Sequence, residues 1–262
     1  MSVEVSTLAQ LIEDEVILAM SLPVGGWLSR RIRPILACAT CGFSEMFVEL
    51  DRMIEVEGMS AGARWPLLNL AQGLQARGVE HIPSDGPLII ASNHPGTVDS
   101  ITLAAAARRD DLEIVASSVP FLQNLPHVSK RLIFTARHDL RQRMLVVREA
   151  IRHLRSGGSF LIFADGNIDP DPAFMPHAEE GLHPWSRSIE IFPGNVPQTQ
   201  VITSIVSHVI DPRYRHHPIT WLRRVSFGDL LNLQSFENKE DALPTIIESA
   251  RRLLRTHLEW QI

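Results

Sequence analysis

Leu88-Ile89-Ile90-Ala91-Ser92-Asn93-His94-Pro95-Gly96-Thr97-Val98-Asp99 is the stretch that decides the fold. Five apolar or small residues, Leu88 to Ser92, read as a short buried strand. Asn93-His94-Pro95-Gly96 ends it abruptly, and Val98 to Ala107 follows as a helical run. Strand, tight turn and helix in that order is where an α/β fold places its chemistry. His94 falls in the turn. Asp99, five residues on in the first turn of the helix, is near enough to accept a hydrogen bond from one imidazole nitrogen, which leaves the other facing outward as a base. The spacing H-x-x-x-x-D is common by itself, and a histidine beside a strand also occurs as a satisfied structural residue.

Working outward, further apolar runs that read as buried strands lie at Leu112 to Ser117, Arg131 to Ala136, Ser159 to Ala164 and Val201 to Val209, separated by helical patterns. Alternation of this kind predicts an α/β class with a mostly parallel central sheet flanked by helices. Phe227 to Leu233 adds an edge strand, and Asp241 to Leu258 is an amphipathic packing helix with Pro244 in its first turn. The clearest helix follows the Arg131–Ala136 strand. Asp139 caps it, Leu140, Met144, Val147, Ile151 and Leu154 form its apolar face, and Gly157 closes it.

Upstream lies an N-terminal helical extension. Leu8, Ile12, Val16 and Ala19 recur at helical spacing after the cap candidate Ser6. A longer stripe runs from Leu28 through Ile32, Ile35, Leu36, Ala39, Phe43, Met46, Phe47 and Leu50 to Ile54, with bends expected at Pro34 and Gly42. A third helix spans about Pro66 to Gln75. The expected organisation is a helical region, 1–78, packing on an α/β domain, 79–262. Arg30, Arg31 and Arg33 beside Trp27 can seat on an anionic membrane surface or stand solvated while the stripe packs; the acids Glu45, Glu49, Asp51, Glu55 and Glu57 favour packing.

Composition narrows the function classes. At 262 residues, 45% hydrophobic and 21% charged, the chain is neither disordered nor fibrous. The formal charge of −5 argues against general nucleic-acid binding, yet Lys130 to Arg155 carries eight bases against two acids. A local basic patch on an acidic protein suits a small anionic substrate or membrane headgroups. Cys38 and Cys41 are the only cysteines and form one C-x-x-C without further ligands, so they read as buried reduced thiols. The start of the chain, with Glu4, Glu13, Asp14 and Glu15, lacks the basic n-region of a secretory signal, and no run is long enough to span a bilayer. A cytoplasmic protein, peripheral at the inner membrane face, is expected.

Asn93-His94 with Gly96 and Asp99 after an apolar strand resembles the N-H-x-x-x-x-D motif of the glycerophospholipid acyltransferase superfamily, which includes glycerol-3-phosphate and lysophosphatidate acyltransferases. Ile133-Phe134-Thr135-Ala136-Arg137 looks like its second motif, an apolar strand ending in a phosphate-binding arginine. Leu161-Ile162-Phe163-Ala164-Asp165-Gly166-Asn167 is similar to its third, F-P-E-G-T, with Ala164 for proline, Asp165 for glutamate and Asn167 for threonine. The fourth, a strand with a V-P pair, matches poorly: Val196-Pro197 precedes the strand and none follows at Val201-Ile202-Thr203-Ser204. The resemblance covers about Ile82 to Val209.

It implies O-acyl transfer, in phospholipid biosynthesis, from acyl-CoA or acyl carrier protein to a lysophospholipid or glycerol-phosphate-type acceptor, with no cofactor and no metal. His94 and Asp99 would be catalytic. Asn93, Gly96, Arg137, Asp165, Gly166 and Asn167 would bind substrate, with amides around Gly96 stabilising the oxyanion. The altered third motif leaves the acceptor open to another lipid alcohol or an amine, and hydrolysis or simple lipid binding on the same fold are the alternatives. Between the third motif and the last strand, the polar loop Ile168 to Ser186 carries Asp169, Asp171, His177, Glu179, Glu180 and His183 in no metal-binding spacing. It reads as a lid in which Phe174 and Trp185 cover an acyl chain.

Overall fold

The computed structural model describes residues 4–69, 73–96, 98–135, 140–175, 177–182, 185–208, 223–232 and 241–260. Three helices come first: α1 (Val5–Ala19), α2 (Trp27–Glu57) and α3 (Met59–Asn69). α1 buries Leu8, Ile12 and Ile17. The second half of α2 buries Met46, Phe47, Leu50 and Ile54, as its stripe predicts, but the first half does not follow the stripe: Leu28 is 39% and Ile35 77% exposed. There the buried positions are Ser29, Thr40 and Ser44; the hydroxyls of Thr40 and Ser44 bond back to the carbonyls of Leu36 and Thr40, and Thr40 also reaches Glu13. Arg33 pairs with Glu13 and Asp14 of α1, so this arginine is not a solvated one. Cys38 and Cys41, expected to be buried, are both exposed because the polar face at 40 and 44, not the cysteines, turns toward α1.

α2 runs unbroken through Pro34 and Gly42 and stops at Gly58, which adopts φ 89°. The third helix therefore begins earlier than expected, and Leu74–Arg77 is not its end but a strand, β1. Leu67, Leu70 and Leu74 share helical spacing in sequence. Past Gly73 (φ 116°) the chain is extended, and alternate residues, Leu74 and Ala76, are partly buried.

The remaining strands are β2 (Leu88–Ser92), β3 (Leu112–Ser117), β4 (Leu132–Thr135), β5 (Ser159–Phe163), β6 (Gln200–Ser207) and β7 (Arg223–Asn232). They form one seven-stranded sheet in the order β1-β7-β6-β2-β5-β3-β4, parallel throughout except at the β6–β7 pair. The strand expected at the edge, β7, is interior, because the unforeseen β1 pairs along its free side.

Between strands lie α4 (Asp99–Ala107), the short turns α5 (Pro120–Gln123) and α6 (Pro126–Ser129), α7 (Leu140–Arg155), α8 (Ile191–Asn195) and the terminal α9 (Ala242–Glu259). Central β2 has all five residues buried and sends alternate side chains to opposite cores. Leu88 and Ile90 join α1 to α4 on one face; Ile89 and Ala91 join α7, α8 and α9 on the other. Each such buried aliphatic side chain contributes about 1.5–3 kcal/mol relative to exposure, so β2 is a firmly packed base for the turn that follows. The helical region is tied to the sheet domain by a charge as well: Asp51 of α2 accepts from the amides of His127 and Val128, both at 2.7 Å, satisfying the first turn of α6.

Candidate active site

The site is built where β2 runs out of apolar residues. The β2–β6 ladder ends at Ser92 opposite Ser204, and Asn93 continues it with its side chain: Nδ2 donates to the carbonyl of Val206 at 3.0 Å and Oδ1 accepts from the Val206 amide at 2.9 Å. The chain is thereby anchored to β6 one residue before His94. Both polar atoms of Asn93, expected to meet substrate, are directed at Val206.

His94 donates from Nδ1 to Asp99 Oδ2 at 2.7 Å. An ionised carboxylate only accepts, so Nδ1 carries the proton, and in the neutral form of the ring Nε2 presents a lone pair. Nε2 has no hydrogen-bond partner among the described residues, and the side chain is 23% exposed. Phe163, the last residue of β5, lies against the imidazole face with ring centroids 4.1 Å apart and planes 17° from parallel. It is there because β5 is the parallel neighbour of β2, with Phe163 in register with Ser92. The ring is thus held at one nitrogen and one face.

Asp99 is fully buried at the start of α4 and also accepts from Gly96 N at 3.1 Å and Ser100 N at 2.7 Å. Burial pushes its carboxyl above the ordinary range, while the imidazole and the two amides pull it back toward the ionised form. The Gly96 amide, expected to be an oxyanion donor, is already given to Asp99.

A second carboxylate grips the same histidine. Asp169 Oδ2 accepts from the main-chain N–H of His94 at 2.7 Å, and the Asp169 N–H donates to the His94 carbonyl at 2.8 Å. Burial, with the nearby negative charge of Asp165, pushes the Asp169 carboxyl up to about 6; the His94 amide opposes this. Two residues on, Asp171 accepts from the amides of Ala173 at 2.9 Å and His208 at 3.1 Å. The segment after β5 therefore ties the end of β2 to the end of β6.

The turn after β5 closes through Gly166, at φ 73°, whose amide bonds to the Phe163 carbonyl. Asn167 donates to Asp165 at 2.9 Å, and both Gly166 and Asn167 are exposed beside the histidine turn. Arg137 and His183 lie outside the described residues; β4, which leads to Arg137, is three strands from β2. Trp185 is not a cover for an acyl chain: it is 3% exposed, in the core with α7 and α9. Phe174 packs edge-on against His208, ring centroids 5.2 Å apart.

Among the described residues no three His, Cys, Asp or Glu side chains gather as a metal would need. A groove of about 660 Å³ lined by Arg64, Leu68, Leu74, Arg77, Arg108 and Trp260 shares no residue with the His94 cluster. Sequence reasoning missed Asp169, Phe163 and Val206 as neighbours of the motif. Each comes from a distant strand or loop; Val206 is met at its own main chain and Asp169 holds the main chain of His94, contacts in which one side carries no residue-type signature.

Chemically, the arrangement offers one imidazole with a nitrogen left open among the described residues, a buried carboxylate behind it, and an exposed glycine turn alongside. That combination has the chemistry needed to remove a proton from a hydroxyl and to stabilise the imidazolium that would result. Residues 73–190 match a family model described as Acyltransferase. A search of curated proteins returns no match. Among solved structures, the 1-acyl-sn-glycerophosphate (LPA) acyltransferase PlsC from Thermotoga maritima is similar in fold, with a TM-score of 0.52 and 16% identity over 96% of this chain and 97% of that one.

Proposed function

We propose that the chain is an acyltransferase of the glycerophospholipid superfamily that transfers a fatty acyl group from an acyl thioester to a hydroxyl of a phosphorylated glycerolipid acceptor, a reading supported by the match of residues 73–190 to the Acyltransferase family model and by the likeness in fold to the Thermotoga maritima enzyme. The observation that carries this reading is the His94–Asp99 contact at 2.7 Å with Nε2 left open.

His94 Nε2 takes the acceptor's hydroxyl proton as the oxygen attacks the thioester carbonyl. Asp99 holds the ring by Nδ1 and offsets the charge of the imidazolium. When the tetrahedral intermediate collapses, the C–S bond breaks and the imidazolium returns the proton to the departing thiolate. An ester and a free thiol result, with no covalent acyl-enzyme, so no nucleophilic serine is required. Arg137 binds the acceptor's phosphate, and the Asp165-Gly166-Asn167 turn shapes the same pocket. Asp165 falls one methylene short of the glutamate of the family's motif, which makes the acceptor the part of the reaction most specific to this chain.

The donor is acyl-CoA or acyl carrier protein and the acceptor a lysophospholipid or glycerol phosphate, both suited to a protein working at the surface of a membrane. No helix among the described residues is long and apolar enough to cross one. Peripheral contact is supported by Trp27, Leu28 and Ile35, exposed beside Arg30 and Arg31.

The test is mass spectrometry of lipids after incubating the purified protein with mixed acyl thioesters and a panel of lysolipids and glycerol phosphate. Esterified acceptor and free thiol in equal amounts are expected. Free fatty acid formed without acceptor would assign hydrolysis instead.

A further inference from the structure

We propose that Asp169 is a positioning residue for His94, fixing the main chain from which the imidazole hangs while Asp99 fixes the ring. Acyl transfer enters only as the readout of what the ring does; the clamp stands on geometry.

His94 precedes a proline, which confines it to extended backbone. It is also past the last ladder pair of β2, so its N–H and C=O have no strand or helix partner. Buried main-chain groups in that position must be satisfied or cost free energy. Asp169, 75 residues further along, satisfies both: its carboxylate takes the N–H at 2.7 Å and its own N–H supplies the C=O at 2.8 Å. The first bond has an ionised acceptor and is the stronger kind.

The carboxylate is itself confined. Asp169 is 6% exposed, and the 3-10 turn Ala178–Leu182 closes over it so tightly that a Cβ on Gly181 would lie 2.8 Å from Asp169 Oδ1. The titratable groups facing it are Asp165, Asp99 and the His94 ring. A residue spent on one neighbour's main chain, from a loop that also anchors β6 through Asp171, sets where that neighbour's side chain points. Displacing a catalytic group by about 1 Å costs on the order of 100-fold in rate.

The experiment uses the full chain with Asp169→Ala and Asp169→Asn, steady-state kinetics on both substrates, and the proton resonance of His94 Nδ1. Asp169→Ala is expected to lower kcat by roughly 10- to 100-fold with both KM values nearly unchanged, and to lose the sharp Nδ1 proton signal of the His94–Asp99 bond. Asp169→Asn keeps an oxygen able to accept from the His94 amide, so it should recover most of kcat and the signal. The proposal is overturned if Asp169→Ala keeps wild-type kcat and the signal, if its loss falls on KM, or if Asp169→Asn is as impaired as alanine. Should Asp169→Ala not fold, Asp169→Asn decides by the same two readouts. A wild-type protein that transfers no acyl group would refute the functional reading, while the Nδ1 signal would still decide the clamp.

Discussion

The side-chain amide of Asn93 and the main chain of Val206 form a closed pair of hydrogen bonds, 3.0 Å from Nδ2 to O and 2.9 Å from N to Oδ1. The pair extends the β2–β6 ladder by side chain and delivers His94 to the sheet edge. Asn93→Ala would leave both Val206 groups buried and unpaired, and should destabilise the fold by about 2–4 kcal/mol. Asn93→Asp should cost at least as much, since a carboxylate cannot donate to the Val206 carbonyl. Urea unfolding of the variants measures this; unchanged midpoints would mean the amide is free to serve substrate instead.

What was legible in the sequence was whatever the core dictates. β2 is five buried residues between polar stops, and α9 and α7 carry their apolar faces at helical spacing, so element type followed from pattern. β1 was not legible, because three leucines at helical spacing run up to it and its ladder partner β7 lies about 150 residues later. Nor was the first half of α2, where the interior is Thr40, Ser44 and a salt-bridged Arg33 rather than aliphatic. In the site, the spacing of His94 and Asp99 within one strand-turn-helix unit is local and readable. The grip of Asp169 on the His94 main chain is not local, and the main-chain groups it holds carry no residue-type signature.

His257 governs part of the pH response. It is fully buried, its ring nitrogens each 2.7 Å from a serine hydroxyl, Ser226 at Nδ1 and Ser207 at Nε2, and burial pushes its pKa down to about 3. The unfolded chain binds a proton there near pH 6.5 and the folded chain does not, so stability is intact above that pH and falls as pH drops toward 3, by about 5 kcal/mol in all. Asp169 works the other way: its raised carboxyl holds a proton up to about 6 in the folded chain, so its contribution declines as pH rises through roughly 4 to 6. The ring protons of His257 should show no titration between pH 8 and 5 by NMR. A midpoint near 6.5 would contradict the buried neutral ring.

Arg137→Ala should raise KM for the phosphorylated acceptor by roughly tenfold or more, the loss of a charge-assisted contact of about 1.5–3 kcal/mol, and leave KM for the thioester unchanged. Initial-rate kinetics with each substrate varied in turn separates the two. A change confined to the thioester would place the phosphate site elsewhere.

The most direct measurement is the turnover of His94→Ala, with circular dichroism to confirm that it folds. On the proposed mechanism, loss of the general base should lower kcat by roughly two to four orders of magnitude, since Nε2 of the ring held by Asp99 is the group assigned to take the hydroxyl proton. A folded variant that transfers acyl groups at close to the wild-type rate would contradict the account.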